Sequence, residues 1–254
     1  NSEYFKLLLA SLCAVSISIG FGRFAYTPIL PQMQEDLNLN SALMGSIASW
    51  NYFGYLVGSI IPLFLNLNKS LREILIFSVL TTVLTIFFMG ITQNIILLIL
   101  LRFIAGISSA LTFIIGTSII ISSANIIKYK INLQLIPFSG IGLGIFLGTI
   151  IIWIASMLSF DWRLQWISVS VLGLLFCLPI YLFMPSNLNK ESSIEKEAES
   201  RKKLNLSFLL ISLGYALFGL GYIIFGTFIS ALARNTPELL NFQYISWIIV
   251  GISA

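Results

Sequence analysis

The sequence has few of the residues on which soluble enzymes rely. Among its 254 residues there is no histidine, there are 2 cysteines, and 9% are charged, whereas soluble domains carry about 25% charged residues. Cys13 and Cys177 lie far apart in apolar runs without a CxxC spacing, so they indicate buried inert thiols, and we expect no metal ion or other cofactor. This composition excludes a soluble enzyme and a disordered chain.

What the sequence does contain is long apolar runs, with 57% hydrophobic residues and a mean hydropathy of +0.96. Three stretches without any charge, residues 37–68, 131–160 and 204–233, each exceed the about 20 residues that a helix needs to cross a bilayer. We therefore expect an all-α membrane protein embedded in the lipid bilayer. The predicted spans are roughly 7–30, 42–65, 74–91, 95–122, 133–158, 164–183 and 206–232, with an incomplete one from 243 to 254. Because the last run is short, we expect the chain to be part of a longer protein.

The basic residues predict how the chain is oriented. With the amino terminus inside the cell, ten of the 14 Lys and Arg residues fall on the cytoplasmic side and two, Arg163 and Arg234, fall outside. This bias follows the positive-inside rule. We expect a multi-pass protein of the cytoplasmic (inner) membrane with a cytoplasmic amino terminus. Because the positive charges lie between spans and not on a folded basic face, nucleic acid is not an expected partner.

Two segments of the sequence resemble each other across a charged linker. Residues 20–26 read GFGRFAY and residues 219–225 read GLGYIIF, while Trp50 and Trp247 each precede a glycine by four positions. These matches lie 197 to 199 positions apart. A six-helix unit repeated in parallel is the architecture of a twelve-helix, two-half transporter.

The repeat predicts three parts of the chain. Residues 1–184 form an amino-terminal six-helix bundle, and 185–205 form a cytoplasmic charged linker. Residues 206–254 begin a second bundle with span seven and an incomplete span eight.

Two arginines lie inside predicted spans, where each costs about 2.5–3.5 kcal/mol to insert. Arg23 in span one and Arg102 in span four share a depth, and no Asp or Glu lies within any predicted span. In one interpretation they face a watery cavity with Tyr26 and bind an anionic or polar substrate through charge-assisted hydrogen bonds. In the other, each binds backbone carbonyls or a span-end carboxylate such as Glu35 or Asp36 and holds helices in register.

Further candidates come from a lone amide and from glycines. Asn51 is the strongly polar side chain in the core of span two. Its amide needs a hydrogen-bond partner, and the candidates are water in a cavity, the substrate or another part of the protein. Glycines at helical spacing allow helices to pack closely in lipid. Here they serve either ordinary helix packing or a rocking movement of the first bundle against the second. They are Gly54 and Gly58 in span two, and Gly140, Gly144 and Gly148 on one face of span five.

Four motifs make the chain similar to a known family. These are GFGRFAYTPILPQM at 20–33, RFIAGISSA at 102–110, GIGLG at 140–144 and DWR at 161–163. With them the sequence resembles the major facilitator superfamily, and within it the YbfB/YjiJ-type transporters, over essentially its whole length. The RxxxG of Arg102 and Gly106 is similar to the superfamily's span-four motif, whereas NLNKSLRE at 66–73 lacks the glycine-aspartate signature of its cytoplasmic latch.

This resemblance implies a fold, a function and a site. Family members have twelve helices, and spans 1, 4, 7 and 10 line the cavity, which implies that Arg23, Arg102 and Tyr222 belong to cavity-lining helices. The implied function is secondary active or facilitative transport of a small organic solute by rocker-switch alternating access, without enzymatic activity. The intramembrane arginines favour a polar or an anionic solute, and we expect the full-length protein to be a monomer. The alternative is a non-transporting polytopic receptor or a membrane enzyme, although an enzyme needs clusters of catalytic side chains that this sequence lacks.

Overall fold

The structure is a computed structural model that describes residues 2–64, 71–126, 136–185, 206–239 and 242–254. Within these ranges the chain is helical and contains no strand. Seven helices are long and apolar enough to cross a membrane, and a shorter apolar helix, Phe242–Ser253, follows them. The predictions of an all-α membrane protein and of seven complete spans are therefore confirmed.

The described helices are α1 (Ser2–Val15), a π-helix (Ser16–Phe24), α2 (Tyr26–Asp36), α3 (Ser41–Phe64), α4 (Leu71–Met89), α5 (Ile95–Ile126), α6 (Gly140–Met157), α7 (Trp162–Phe183), α8 (Leu206–Arg234) and α9 (Phe242–Ser253). Short 3-10 turns at Ile136–Ser139 and Pro237–Leu239 precede α6 and α9. The predicted linker lies outside the described residues apart from Pro185, and the division of the chain into three parts stays a prediction.

The first membrane span consists of α1, the π-helix and α2 in one continuous run. At its junction with α2 the Ala25 N–H donates to the Gly20 carbonyl, five residues earlier, at 3.1 Å, which is π-helical spacing. Gly20 faces the backbone of Gly144 in α6, where a side chain at position 20 would overlap it. The wider π turn and this close approach set the direction in which the end of the π-helix presents its side chains.

Glycines bring α3 against α5. A Cβ at Gly58 would lie 2.5 Å from the Ile107 carbonyl oxygen, and a Cβ at Gly106 would lie 2.7 Å from the Tyr55 backbone nitrogen. Gly54 also faces Gly106, so the two backbones touch over two turns. Such small-residue contacts are how helices associate in lipid, where no hydrophobic force drives them together.

The glycines of α6 serve two different neighbours. Gly140 and Gly144 face Leu12 and Ser16 of the first span, and Gly148 faces Phe21. The contact with α9 is made elsewhere on α6, where a Cβ at Gly142 would lie 2.5 Å from the Gly251 carbonyl oxygen. The face of α6 that meets a helix after the linker is therefore not the predicted face of Gly140, Gly144 and Gly148.

Candidate functional site

Arg23, at the end of the π-helix, lies among aromatic rings. Its guanidinium carbon is 4.6 Å from the ring centroid of Tyr52 and 5.7 Å from that of Tyr55, both on α3. The ring of the adjacent Phe24 lies at 5.4 Å. A guanidinium within about 6 Å of ring centroids is held by cation–π attraction. We call Arg23, Phe24, Tyr52, Tyr55 and Tyr222 the arginine cage.

The guanidinium of Arg23 has no polar partner within the described part of the chain. Its Nε atom is buried without a hydrogen bond. Glu35 on the same span does not pair with Arg23, because its carboxylate forms an ion pair with Arg234. Rings attract the charge but accept none of its five N–H hydrogen bonds in the plane of the group. The side chain as a whole is half-buried, whereas its Nε atom is completely buried.

The helix α8, which follows the linker, completes the arginine cage. The Tyr222 ring packs edge-on against Phe24 with centroids 6.3 Å apart, and Tyr222 is 41% exposed. The hydroxyl groups of Tyr52 and Thr227 share a hydrogen bond of 3.2 Å. The cage thus joins the first span, α3 and α8, and the structure brings two predicted substrate residues, Arg23 and Tyr222, to one place.

Arg102 has a different environment although it lies on a neighbouring helix. It is 2% exposed, and its Nη1 and Nη2 donate to the carbonyls of Gly22 at 3.0 Å and of Arg23 at 3.5 Å. Its guanidinium carbon lies 4.8 Å from the ring centroid of Tyr26. This geometry follows the second interpretation of the sequence, in which an arginine holds backbone carbonyls, and here it holds those that end the π-helix.

Asn51 and Tyr26, like Arg102, form hydrogen bonds to backbone carbonyls that connect neighbouring helices. The Asn51 Nδ2 donates to the Arg102 carbonyl at 3.0 Å and ties α3 to α5. The Tyr26 hydroxyl donates to the Met44 carbonyl at 2.8 Å and ties α2 to α3. Both side chains are almost completely buried, so the structure places these two predicted substrate residues behind Arg23 and not beside Tyr222.

Sequence reasoning assigned no role to Tyr52, Tyr55 or Phe24. Tyr52 and Tyr55 stand three positions apart, a spacing that puts them on one helix face, and this was the available signal. It did not show that the face meets Arg23, because the π-helix displaces Arg23 from the position that regular helical spacing predicts. Thr227 carried no signal at all.

A second cluster joins the carboxyl-terminal ends of the first span and of α8. Arg234 donates from Nε to Glu35 Oε1 at 2.6 Å and from Nη2 to Glu35 Oε2 at 2.5 Å. A cavity of about 320 Å³ lies beside this pair, with Ala231 and Asn235 in its wall. We call this bidentate pair the Glu35–Arg234 clasp. Glu35 is one of the two carboxylates that the sequence suggested as a partner for Arg23 or Arg102, and in the structure its partner is Arg234.

The described residues contain no group of three or more His, Cys, Asp or Glu side chains that could hold a metal ion. The arginine cage offers one cation and aromatic surfaces, which suit a bound organic solute and not a metal.

Comparison with known proteins identifies the family. Residues 15–254, including the arginine cage and the clasp, match the family described as "Uncharacterised MFS-type transporter YbfB". The chain belongs to this family of the major facilitator superfamily. The resemblance inferred from the four motifs is confirmed, and so is the class, which is a transporter family and not an enzyme family.

A solved structure shows the superfamily fold. The structure titled "Crystal structure of nucleoside transporter NupG (D323A mutant)" superposes with a TM-score of 0.66 at 14% identity and covers 98% of this chain. The chain spans 64% of the length of that protein. No curated protein sequence matches the chain. The predicted major facilitator superfamily fold is thereby confirmed.

Proposed function

We propose that this protein is a secondary active or facilitative transporter that carries a small polar, anionic organic solute across the cytoplasmic membrane. Arg23 binds the solute, and the amino terminus and the linker 185–205 lie in the cytoplasm. The transport unit is a monomer whose two halves, before and after the linker, rock about the arginine cage.

The observation that carries this proposal is the state of Arg23. A half-buried guanidinium without a polar partner is costly in a membrane protein unless it serves a function. Its cage is built from helices on both sides of the linker, through Tyr52 and Tyr222. A solute bound there would touch both halves, so its binding would be coupled to their relative movement.

Contacts of α8 support alternating access. Its buried residues fall between Gly226 and Ala233, next to the clasp, whereas 206–221 is exposed apart from the partly buried Gly219. The described contacts of α8 with the first span therefore lie at the clasp end, whereas α9 packs on α6 through Gly251 and Gly142. With a cytoplasmic amino terminus the clasp lies at the external end, so it must break when the protein opens outward.

The test is counterflow in proteoliposomes that contain the full chain. A panel of small organic anions and neutral solutes is offered, including nucleosides because the similar solved structure is of a nucleoside transporter. We expect Arg23→Gln to lose most of the counterflow of an anion while inserting normally, because it removes the charge and all but two of the donors.

Arg163→Gln is the matched control. Arg163 contacts the Trp162 ring at 5.4 Å at the start of α7, away from the cage, so this variant should transport like the unaltered protein. Normal transport by Arg23→Gln would sink the proposal. Binding of a solute that never accumulates would instead support the receptor alternative.

A further inference from the structure

The arginine cage holds a single formal charge. Within the described residues, the groups that contact Arg23 or complete its cage are neutral: Phe24, Tyr52, Tyr55 and Tyr222. Glu35, whose carboxylate is engaged by Arg234, belongs to the separate clasp. Arg102, the neighbouring cation, donates to the carbonyls of Gly22 and Arg23, so the charge left for a ligand to neutralise is the single charge of Arg23.

The charge of Arg23 disfavours a positive charge on the ligand, because the neighbouring rings already surround this guanidinium. A buried ammonium requires an anionic partner or several hydrogen-bond acceptors, and Arg23 would repel it. Amino acids and other zwitterions would leave their ammonium without such a partner here. Among the described residues, the surroundings of Arg23 therefore favour an anion over a zwitterion.

The geometry around Arg23 suits a carboxylate in particular. The Tyr52 ring lies 4.6 Å from the guanidinium carbon, and such a contact limits the rotation of the arginine while leaving its N–H groups unused. The planar fork of a guanidinium matches the two oxygens of a carboxylate in a bidentate pair. Because Nε of Arg23 is buried, the fork that meets the carboxylate is the one formed by the terminal Nη1 and Nη2 atoms.

Aromatic surface continues from the cage along α8 and suits a flat ligand body. Tyr222 stacks on Phe218 with centroids 6.5 Å apart and an interplanar angle of 11°. Within the described residues these side chains are 41% and 71% exposed, and Phe218 extends the ring surface of Tyr222 by one helical turn. Ring surfaces attract planar aromatic groups in offset-stacked or edge-on contact.

We infer that the substrate is a planar aromatic carboxylate with one negative charge and no amine. This inference rests on the proposed transport function and specifies its solute. The carboxylate pairs with Arg23, and the ring packs among Tyr55, Tyr222 and Phe218.

Binding of radiolabelled benzoate to the purified full chain tests the inference. Benzoate competes with four probes that change one property at a time: benzamide is neutral, benzylamine is cationic, acetate lacks the ring, and uridine is a neutral nucleoside. A charged hydrogen-bonded pair is lost with benzamide and benzylamine, so we expect both to compete about 10- to 100-fold less well than benzoate. Acetate should be at least about tenfold weaker because it cannot use the ring surfaces.

Variants locate the site. Arg23→Gln should weaken benzoate binding about 10- to 100-fold and leave the weak binding of benzamide unchanged. Tyr222→Leu should cost about 2- to 10-fold and Tyr222→Phe much less, since the ring and not the hydroxyl makes the contact. Phe77→Leu removes an aromatic ring that is 72% exposed on α4, and it is the control that should bind benzoate normally.

Each remaining outcome has a distinct meaning. If uridine or benzylamine binds as well as benzoate and depends on Arg23, the aromatic carboxylate is excluded while the transport proposal stands. If benzoate binds equally to Arg23→Gln and to the unaltered protein, the site is excluded. If no probe binds and no solute shows counterflow, both proposals fail. Should Arg23→Gln not fold, the ranking of benzoate over benzamide on the unaltered protein still decides.

Discussion

Arg23 and Arg102 carry the same charge on adjacent helices, and burial separates their roles. Arg102 donates from Nη1 and Nη2 to the carbonyls of Gly22 and Arg23, whereas Arg23 has rings on its faces and no acceptor among the described residues. The Nε atoms of both arginines are buried without a partner. The first arginine thus orients the backbone that presents the second. In this arrangement Arg102 is a positioning residue for the arginine cage.

Replacing Arg102 by lysine tests this positioning. Lysine keeps the charge but has no planar fork to reach two carbonyls and no flat group to lie on the Tyr26 ring. We expect Arg102→Lys to lose about 1–3 kcal/mol of stability, measured as a lower Tm in detergent by differential scanning fluorimetry. Benzoate affinity should fall as well, because the end of the π-helix is released.

Arg163→Lys is the control for that measurement. Arg163 is half-buried at the start of α7, where it lies over the Trp162 ring and contacts the Gln93 side chain. The change should cost no more than about 1 kcal/mol and leave benzoate affinity unaltered. An Arg102→Lys protein with unchanged Tm and unchanged benzoate affinity would show that the carbonyl contacts do not orient Arg23.

At the scale of helices, the packing of α3 on α5 supports the cage. Gly54, Gly58 and Gly106 allow the two backbones to touch, and the same part of α3 carries Tyr52 and Tyr55. A change in the distance between these helices therefore moves the aromatic rings that surround Arg23.

We expect Gly106→Ala to destabilise the protein by about 1–3 kcal/mol, because the added methyl group overpacks the contact. It would collide with the Asn51 carbonyl and lie 2.7 Å from the Tyr55 backbone nitrogen. Thermal unfolding and size-exclusion profiles of the purified variant measure the loss.

Gly214→Ala supplies the matched comparison. Nothing lies within 4 Å of a Cβ at Gly214, and alanine is the better helix former by up to about 1 kcal/mol. Its Tm should stay the same or rise. If both variants behave alike, the contact between α3 and α5 does not depend on its glycines.

At the scale of the whole molecule, the clasp is one of the contacts that join helices before and after the linker, and the packing of α6 on α9 is another. Glu35 and Arg234 are 199 positions apart and form a bidentate pair at the ends of their helices. Nearby, the Gln243 side chain donates to the Pro28 carbonyl at 3.2 Å. These contacts favour the conformation that is closed at this end.

Breaking the clasp should shift the balance toward the conformation open at this end. An ion pair with exposed side chains is worth about 0.2–1 kcal/mol, so Glu35→Gln should raise the open population about two- to fivefold at most. The readout is the labelling rate of Ala231→Cys by a membrane-impermeant thiol reagent, with Cys13 and Cys177 replaced by alanine. Ala231 is 7% exposed beside the clasp, so its labelling reports opening.

The reversed pair provides the control. Glu35→Arg combined with Arg234→Glu keeps one charge of each sign and should restore slow labelling, and high salt should affect it more than Glu35→Gln. Equal labelling of all three proteins would show that the clasp does not hold this end closed.

The sequence predicted those features that depend on interactions along the chain, and it could not predict those that depend on contacts between helices. The spans followed from apolar runs because a membrane-crossing backbone satisfies its own hydrogen bonds as a helix. The two intramembrane arginines were found from their residue type alone, but their roles stayed open because burial comes from the neighbouring helix. Gly140, Gly144 and Gly148 were correctly put on one face, whereas their neighbour, the first span, could not be read from spacing.

By itself, the amino-acid sequence determined the class of protein, the number of complete spans and the presence of two intramembrane arginines, since hydropathy and charge act along the chain. The tertiary structure alone decided that Arg23 meets Tyr52 and Tyr222 while Arg102 is sealed against carbonyls. The reason is that a membrane helix carries apolar residues around its whole circumference, so the packing of its neighbours, together with the π turn in the first span, selects the face each residue presents.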